Sequence, residues 1–213
     1  PNRAGVYRSG IDCEKFRFRQ SLHSSSGPIR IVSVGRLVEK KGVEYSVKAV
    51  LNLIKEGYDI EYVIIGGGPL YAQLSSLIHE NNMTSRIKLL GPKDQEFIID
   101  ALETSHIFIS SSVTAQDGDQ NGPDNTIKEA MAVGLPVVAC QSGAIEEVVI
   151  NDMTGLLVEE RNIVALASKI KYLIDTPSIW PNLTKTARKF VETNYNLKSL
   201  TAELIERYQS VLN

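Results

Sequence analysis

The sequence predicts a doubly wound α/β domain built on a parallel, Rossmann-like sheet, and three observations predict it. Short unbroken apolar runs recur along the chain, as in parallel strands covered on both faces. Between them lie stretches with apolar residues at i, i+3, i+4 and i+7, the stripe of a helix resting on a core. Glycine or proline marks most of the joints, and beyond Pro177 the alternation stops and the pattern stays helical.

Taken in order, Ile29 to Gly35 is the first strand, bounded by Pro28 and Gly35. After the loop Arg36-Leu-Val-Glu-Lys-Lys-Gly42, the residues Val43, Val47, Val50, Leu51 and Ile54 mark a helix that ends at Gly57. Tyr62 to Ile65 is the second strand, closed by Gly66-Gly-Gly-Pro69, and Leu70, Leu74, Leu77 and Ile78 make the next helix. Ile87 to Leu90 is a third strand, Phe97 to Leu102 a short helix, and Ile107 to Ile109 a fourth strand running into Ser110-Ser-Ser112.

A polar, glycine-rich loop, Asp117-Gly-Asp-Gln-Asn-Gly122, leads to a helix with Pro123 at its first position and Ile127, Ala130, Met131 and Gly134 on its buried stripe. Gly134 and Pro136 end that helix, and Val137 to Cys140 is the fifth strand. Ala144 to Val149 reads as a short helix, Gly155 to Val158 as the last strand, and Ile163 to Ile174 as a further helix. The rest is helical to Asn213, with a break near residues 194–196. Three segments result: a connector over 1–26, the α/β domain over 27–177 and a helical extension over 178–213.

At 213 residues the chain is long enough to bury a core without disulfide or metal staples. Its net charge of −2 provides no basic footprint, which argues against nucleic acid as a partner. Cys13 and Cys140 lie far apart, and Cys140 closes a core strand, so both are expected as thiols in a cytoplasmic protein. No run approaches the roughly 18 apolar residues of a membrane span. The sequons at Asn82 and Asn182 are therefore read as chance. A chain that begins at Pro1 is expected to be a piece of something longer. Lys169, Lys171, Lys185, Arg188 and Lys189 read as a solvated helix face, with contact to anionic lipid as the alternative.

In a doubly wound sheet, ligands bind beyond the carboxyl ends of the strands, where the strand order switches. Arg36 and Lys41 flank the loop after the first strand, and two cations there either neutralise the charge that builds on a departing diphosphate without a divalent metal or form a solvated basic turn. The helix after Gly122 points its free N–H groups and positive dipole end at the preceding loop. Glu129 lies off that helix's apolar stripe, one to two turns in, so its carboxylate is either an acceptor for a vicinal diol or a solvated helix residue. No G-x-G-x-x-G follows the first strand and no G-x-x-x-x-G-K-[ST] occurs, which disfavours nicotinamide dinucleotides and the P-loop. His23, His79 and His106 are scattered without metal or triad spacing, and His106 reads as structural.

Asn121 to Cys140 resembles the Glu-x7-Glu region of retaining family-4 glycosyltransferases, the glycosyl transferases of group 1, written E-G-x-P-N-x-x-x-E-A-M-A-x-G-x-P-V-V-A. Gly122, Asn125, Glu129, Ala130, Met131, Ala132, Gly134, Pro136, Val137, Val138 and Ala139 match in register. Val34 to Gly42 resembles the family's V-G-R-L-x-x-x-K-G, and Gly66 to Pro69 its G-x-G-P. Val6 to Phe16 resembles V-x-x-x-G-[IV]-D-x-x-x-F, the lead from the first domain into the second. Gly143 to Val148 partly resembles G-G-x-x-E-x-[IV], with Ala144 for the second glycine and Glu147 in a supporting place.

The resemblance implies the C-terminal, nucleotide-sugar-binding half of a two-domain GT-B enzyme that transfers a hexosyl group from a UDP- or GDP-sugar with retention. The acceptor would be a saccharide or a membrane-associated, lipid-linked chain, in cell-surface polysaccharide or glycolipid synthesis. It implies no cofactor or metal, an upstream acceptor-binding domain as partner, and a cytoplasmic place that extends to the inner membrane face. Arg36 and Lys41 would hold the diphosphate, Gly35, Gly66, Gly68 and Lys93 the nucleotide, Gly122, Pro123, Asp124 and Asn125 the donor sugar or phosphate, and Glu129 the ribose hydroxyls. Asn121 stands where the family has a Glu that touches the donor sugar, and a neutral amide offers no negative charge to an oxocarbenium ion. Asp119 or Asp124 would be its substitutes. Two alternatives follow: a non-catalytic nucleotide-sugar-binding module, and a sugar-nucleotide 2-epimerase of the same architecture.

Overall fold

A computed structural model describes residues 7–19 and 27–212. Its centre is one parallel sheet of six strands, β1 (Ile29–Val34), β2 (Ile60–Ile65), β3 (Ile87–Leu89), β4 (Ile107–Ser110), β5 (Val137–Gln141) and β6 (Leu156–Glu159), in the order β3-β2-β1-β4-β5-β6. The predicted doubly wound fold is the one observed. β1 is paired in register with β2 from Ile29 opposite Ile60 to Val34 opposite Ile65, and with β4 at Ile31 opposite Ile107. The strand order therefore reverses between β1 and β4, which opens a crevice at their carboxyl ends.

The helices are α1 (Val43–Lys55), α2 (Tyr71–Glu80), α3 (Gln95–Thr104), α4 (Asn125–Val133), α5 (Ile163–Asp175), α6 (Trp180–Asn194) and α7 (Leu197–Leu212). One apolar layer joins α1, α2, α5 and Trp180 to one sheet face; the other joins Leu102 of α3, α4, Ala187 and Val191 to the opposite face. That two-sided burial explains why the strands read as unbroken apolar runs. Among the described residues no helix is long and apolar enough to cross a membrane.

Several expectations shift. β2 begins at Ile60, because Ile60 is fully buried opposite Ile29 although Glu61 interrupts the apolar run. Residues 143–147 form a 3-10 turn rather than an α-helix. Arg188 is not part of a solvated basic face: its guanidinium donates to the carbonyls of Cys13 (2.9 Å), Phe16 (2.6 Å) and Ala132 (2.7 Å). Ile11, Cys13 and Phe16 are buried in the same layer as α4 and α6. Val6, and the connector over 20–26, lie outside the described residues.

Candidate functional site

The loops after β1, β2, β3 and β4 meet at the carboxyl edge of the sheet, and glycine lets them meet closely. A Cβ on Gly66, which has φ 147°, would lie 1.8 Å from the carbonyl oxygen of Gly35, so the turn after β2 can rest on the turn after β1 only with hydrogen at that position. The same packing accounts for the glycine run without a ligand, so the run marks a tight junction first and a nucleotide approach second.

Two cavities share Val34 and Gly35. The outer one, of about 520 Å³, is lined by Arg36, Gly66, Gly68, Pro92, Lys93 and Ile98 among others. Arg36 is exposed, and its guanidinium makes no hydrogen bond or ion pair among the described residues. Lys93 sits 5.1 Å from the ring centre of Phe97, an exposed cation over an aromatic face. The inner cavity, lined by Ser33, Gly35, Lys41, Ser110, Ser111 and Asp124 among others, holds only about 20 Å³. That is room for about one water.

The inner end is closed by an ion pair. Lys41 Nζ lies 2.5 Å from Asp124 Oδ2, with side chains only 17% and 6% exposed. The other oxygen, Asp124 Oδ1, accepts from the N–H (3.1 Å) and the hydroxyl (2.9 Å) of Thr126. Asp124 is thus the N-cap of α4, and the helix starts at Asn125, two residues later than Pro123 would have started it. A start at Pro123 would leave Gly122 as the cap, with no side-chain acceptor, whereas the Asp124 carboxylate accepts the Thr126 N–H. At the helix end where an anion was expected, the chain's own carboxylate takes one of the N–H groups, that of Thr126.

The loop between β4 and α4 is bound to the turn after β1 at several other points. Gln116 N–H donates to Glu39 Oε1 at 3.0 Å, Val113 N–H to the Lys40 carbonyl at 2.9 Å, and Lys40 Nζ pairs with Asp119 Oδ2 at 2.8 Å. Asp119 is 55% exposed, so this second pair is worth at most about 1 kcal/mol. The Lys41–Asp124 pair is largely desolvated, and removing one partner leaves an uncompensated charge.

Asn121 is only 8% exposed, and its side chain turns inward: the amide nitrogen donates to Ser112 Oγ at 2.5 Å and to the Lys40 carbonyl at 3.3 Å. Gly122 and Asn125 are exposed and Pro123 is half-buried along the same stretch. Glu129 lines neither cavity, and its carboxylate makes no hydrogen bond or ion pair among the described residues. Burial, then the charge of Asp124, pushes its pKa up to about 7, against the pull of Lys128. The structure thus gathers Gly35, Arg36, Lys41, Gly66, Gly68, Lys93 and Asp124 around one cleft, and leaves the side chains of Asn121 and Glu129 outside its lining.

Three features escaped sequence reasoning. Lys128 is fully buried, donates to the Ser9 carbonyl at 2.6 Å and lies 4.7 Å from the ring centre of Tyr195; burial lowers its pKa. A lysine on an apolar stripe was the available signal, since its neighbours Ile127 and Met131 are core residues. A buried chain of hydroxyls runs from Ser33 through Tyr62 to Ser46 (2.7 and 2.8 Å), and burial raises the Tyr62 pKa to about 12. The third is the Asp124 cap. His106 is structural as expected: its Nδ1 accepts from the Arg30 N–H at 2.8 Å.

The sequence profile of the family described as Glycosyl transferases group 1 matches residues 14–196. The amylovoran biosynthesis glycosyltransferase AmsK of Erwinia amylovora is 39% identical over 207 residues, 95% of this chain and 50% of that protein. The chain spans about half the length of the curated relatives it matches. Among solved structures, Anabaena HepE in complex with UDP-glucose superposes with a TM-score of 0.81 at 19% identity, over 97% of this chain and 57% of that one. The C-terminal domain of a group 1 family protein from Francisella tularensis superposes with a TM-score of 0.75 at 23% identity, over 88% of this chain and all of that one (100%). At these identities the structural likenesses bear on fold.

Proposed function

The chain belongs to the glycosyl transferases of group 1, and from that membership we propose that it is the donor-binding half of a retaining hexosyltransferase. Its donor would be a UDP- or GDP-sugar and its acceptor a saccharide or lipid-linked chain of a cell-surface polysaccharide, bound by an upstream domain. The observation that carries the reading is the cleft at the strand-order switch, where a glycine floor is flanked by Arg36, Lys41 and Lys93. A nucleoside would fit the outer cavity of about 520 Å³, with the diphosphate directed toward Arg36 and Lys41. Fixed cations that meet the charge growing on the leaving diphosphate lower the barrier most where charge develops, and they serve in place of a metal. Solved relatives with UDP or UDP-glucose bound are consistent with this donor class.

A second reading, a nucleotide-sugar-binding module without turnover, is favoured by one observation. Asn121 replaces the family's glutamate, and its amide is bonded to Ser112, outside the lining of either cavity. Calorimetric titration with UDP, GDP, ADP and NAD is the direct test. Saturable binding of one nucleoside diphosphate, weakened at least tenfold by Arg36→Ala, is the expected result, and binding by NAD alone would sink the donor assignment. Within a two-domain protein, turnover gained by Asn121→Glu would mark an attenuated enzyme, whereas none would favour the module.

A further inference from the structure

Resting on that donor-site reading, we propose that Asp124 is an internal counter-anion that competes with the nucleoside diphosphate for Lys41. In the closed cleft the carboxylate holds Lys41; an entering diphosphate takes the lysine over, and Asp124 takes it back as the product leaves.

Three observations carry this. First, the inner cavity lined by Lys41 and Asp124 has room for about one water, so a phosphate reaches the inner floor only if that pair opens. Second, the two partners differ in freedom. Asp124 is anchored by its bonds to the Thr126 N–H and hydroxyl. Lys41 hangs on a flexible stem over Gly35, where an added Cβ would come within 3.5 Å of its Cε. Lys41 is therefore the partner that moves. Third, the positive end of α4 already carries Asp124, which accepts the Thr126 N–H, so the diphosphate draws its charge from Arg36, which has no partner among the described residues, and from a released Lys41.

A diphosphate that must displace an internal anion binds more weakly than the same cations alone would bind it, in proportion to the fraction of lysine already held. For a transferase this weakens the product complex as well as the donor complex. It makes Asp124 a residue that tunes release rather than one that touches the sugar.

The neighbouring pair Lys40–Asp119 supplies the control, because it lies on the same two loops and its carboxylate is exposed. The 213-residue chain is titrated with UDP, GDP and ADP as wild type, Asp124→Asn, Asp124→Ser and Asp119→Asn. Asparagine and serine both serve as N-caps without a charge. The nucleotide that binds wild type should bind both Asp124 variants about tenfold tighter, while Asp119→Asn changes affinity less than twofold. Unchanged or weaker binding by the Asp124 variants overturns the proposal, since Asp124 would then be orienting Lys41 and not competing for it. An equal gain in Asp119→Asn overturns it too, by revealing a general charge effect. If no chain binds any nucleotide, the donor-site reading fails and takes this inference with it; tight binding by wild type with no gain in the variants sinks this inference alone. Should both Asp124 variants fail to fold, the Lys41 ammonium resonance of wild type decides: a shift on adding the nucleotide is expected, and an unmoved resonance overturns the exchange.

Discussion

At the scale of single residues, Glu129 carries the sharpest consequence, because burial and Asp124 lift its pKa from 4.5 to about 7. The folded chain then binds more protons at this site than the unfolded chain between those two values, so stability falls as pH rises through that window. The shift corresponds to about 3 kcal/mol. Glu129→Gln should therefore be more stable than wild type at pH 8 by about 2–3 kcal/mol and little different near pH 4, as urea denaturation at the two pH values will show. Glu129 lines neither cavity, so nucleotide affinity should not follow this titration. Asn121 poses the reverse case. Its amide satisfies Ser112 and the Lys40 carbonyl inside the protein, so Asn121→Ala should cost about 1–3 kcal/mol of unfolding free energy even if nucleotide affinity is untouched. The sequence made both residues visible, Glu129 by its offset from the stripe of α4 and Asn121 as a departure from a motif. It could not show which way Asn121 turns, because that depends on Ser112 and the Lys40 carbonyl from elsewhere in the chain.

At the scale of elements, the strands and helices were legible because each is fixed by its own period: unbroken apolar runs for strands buried on both faces, and 3.6-residue stripes for helices resting on one. What was not legible is how segments without a period attach. Residues 7–19 form no helix or strand, yet Ile11, Cys13 and Phe16 are buried. Besides backbone bonds to Tyr195, Leu197 and Val133, their backbone is held by Arg188, which gives charge-assisted bonds to the carbonyls of Cys13 and Phe16 and a third to that of Ala132 on α4. Lys128 adds a further tie at Ser9. A run of basic residues on α6 looks the same in sequence whether it faces water or a carbonyl cluster. The two situations differ in the variant: a solvated arginine can be removed within about 0.5 kcal/mol, whereas these acceptors would be left without their donor. Arg188→Ala is expected to destabilise by about 3 kcal/mol or more and to raise amide exchange in residues 11–16 beyond that of β1. Arg188→Lys should recover only part of the loss, since an ammonium cannot match the fork that reaches three carbonyls. Lys185→Ala and Lys189→Ala, on the same helix, should leave exchange in that segment unchanged.

At the scale of the whole molecule, the sheet is shared by both apolar layers, and this decides how the chain unfolds. β1 gives Ile31 to the layer with α1 and α5 and Val32 to the layer with α4, so neither layer can be lost while the other keeps its strands. Trp180 is the chain's one tryptophan; it is 1% exposed, and its indole N–H donates to the Leu173 carbonyl at 3.0 Å. It lies at the start of α6, whose later residues Ala187 and Val191 belong to the opposite layer, so its emission reports the helix that bridges the two. Thermal unfolding followed by Trp180 fluorescence and by far-ultraviolet circular dichroism should give coincident transitions, as expected for one cooperative unit. A nucleoside diphosphate that binds the cleft should raise both midpoints together, by an amount that corresponds to about 2.7 kcal/mol at one hundred times its Kd. A fluorescence change that precedes the loss of dichroism would show that α6 and α7 peel away first. The ties from Arg188 to residues 13–16 and to α4 would then be too weak to couple the C-terminal helices to the sheet, and the stability assigned to Arg188 would have to be smaller than argued above.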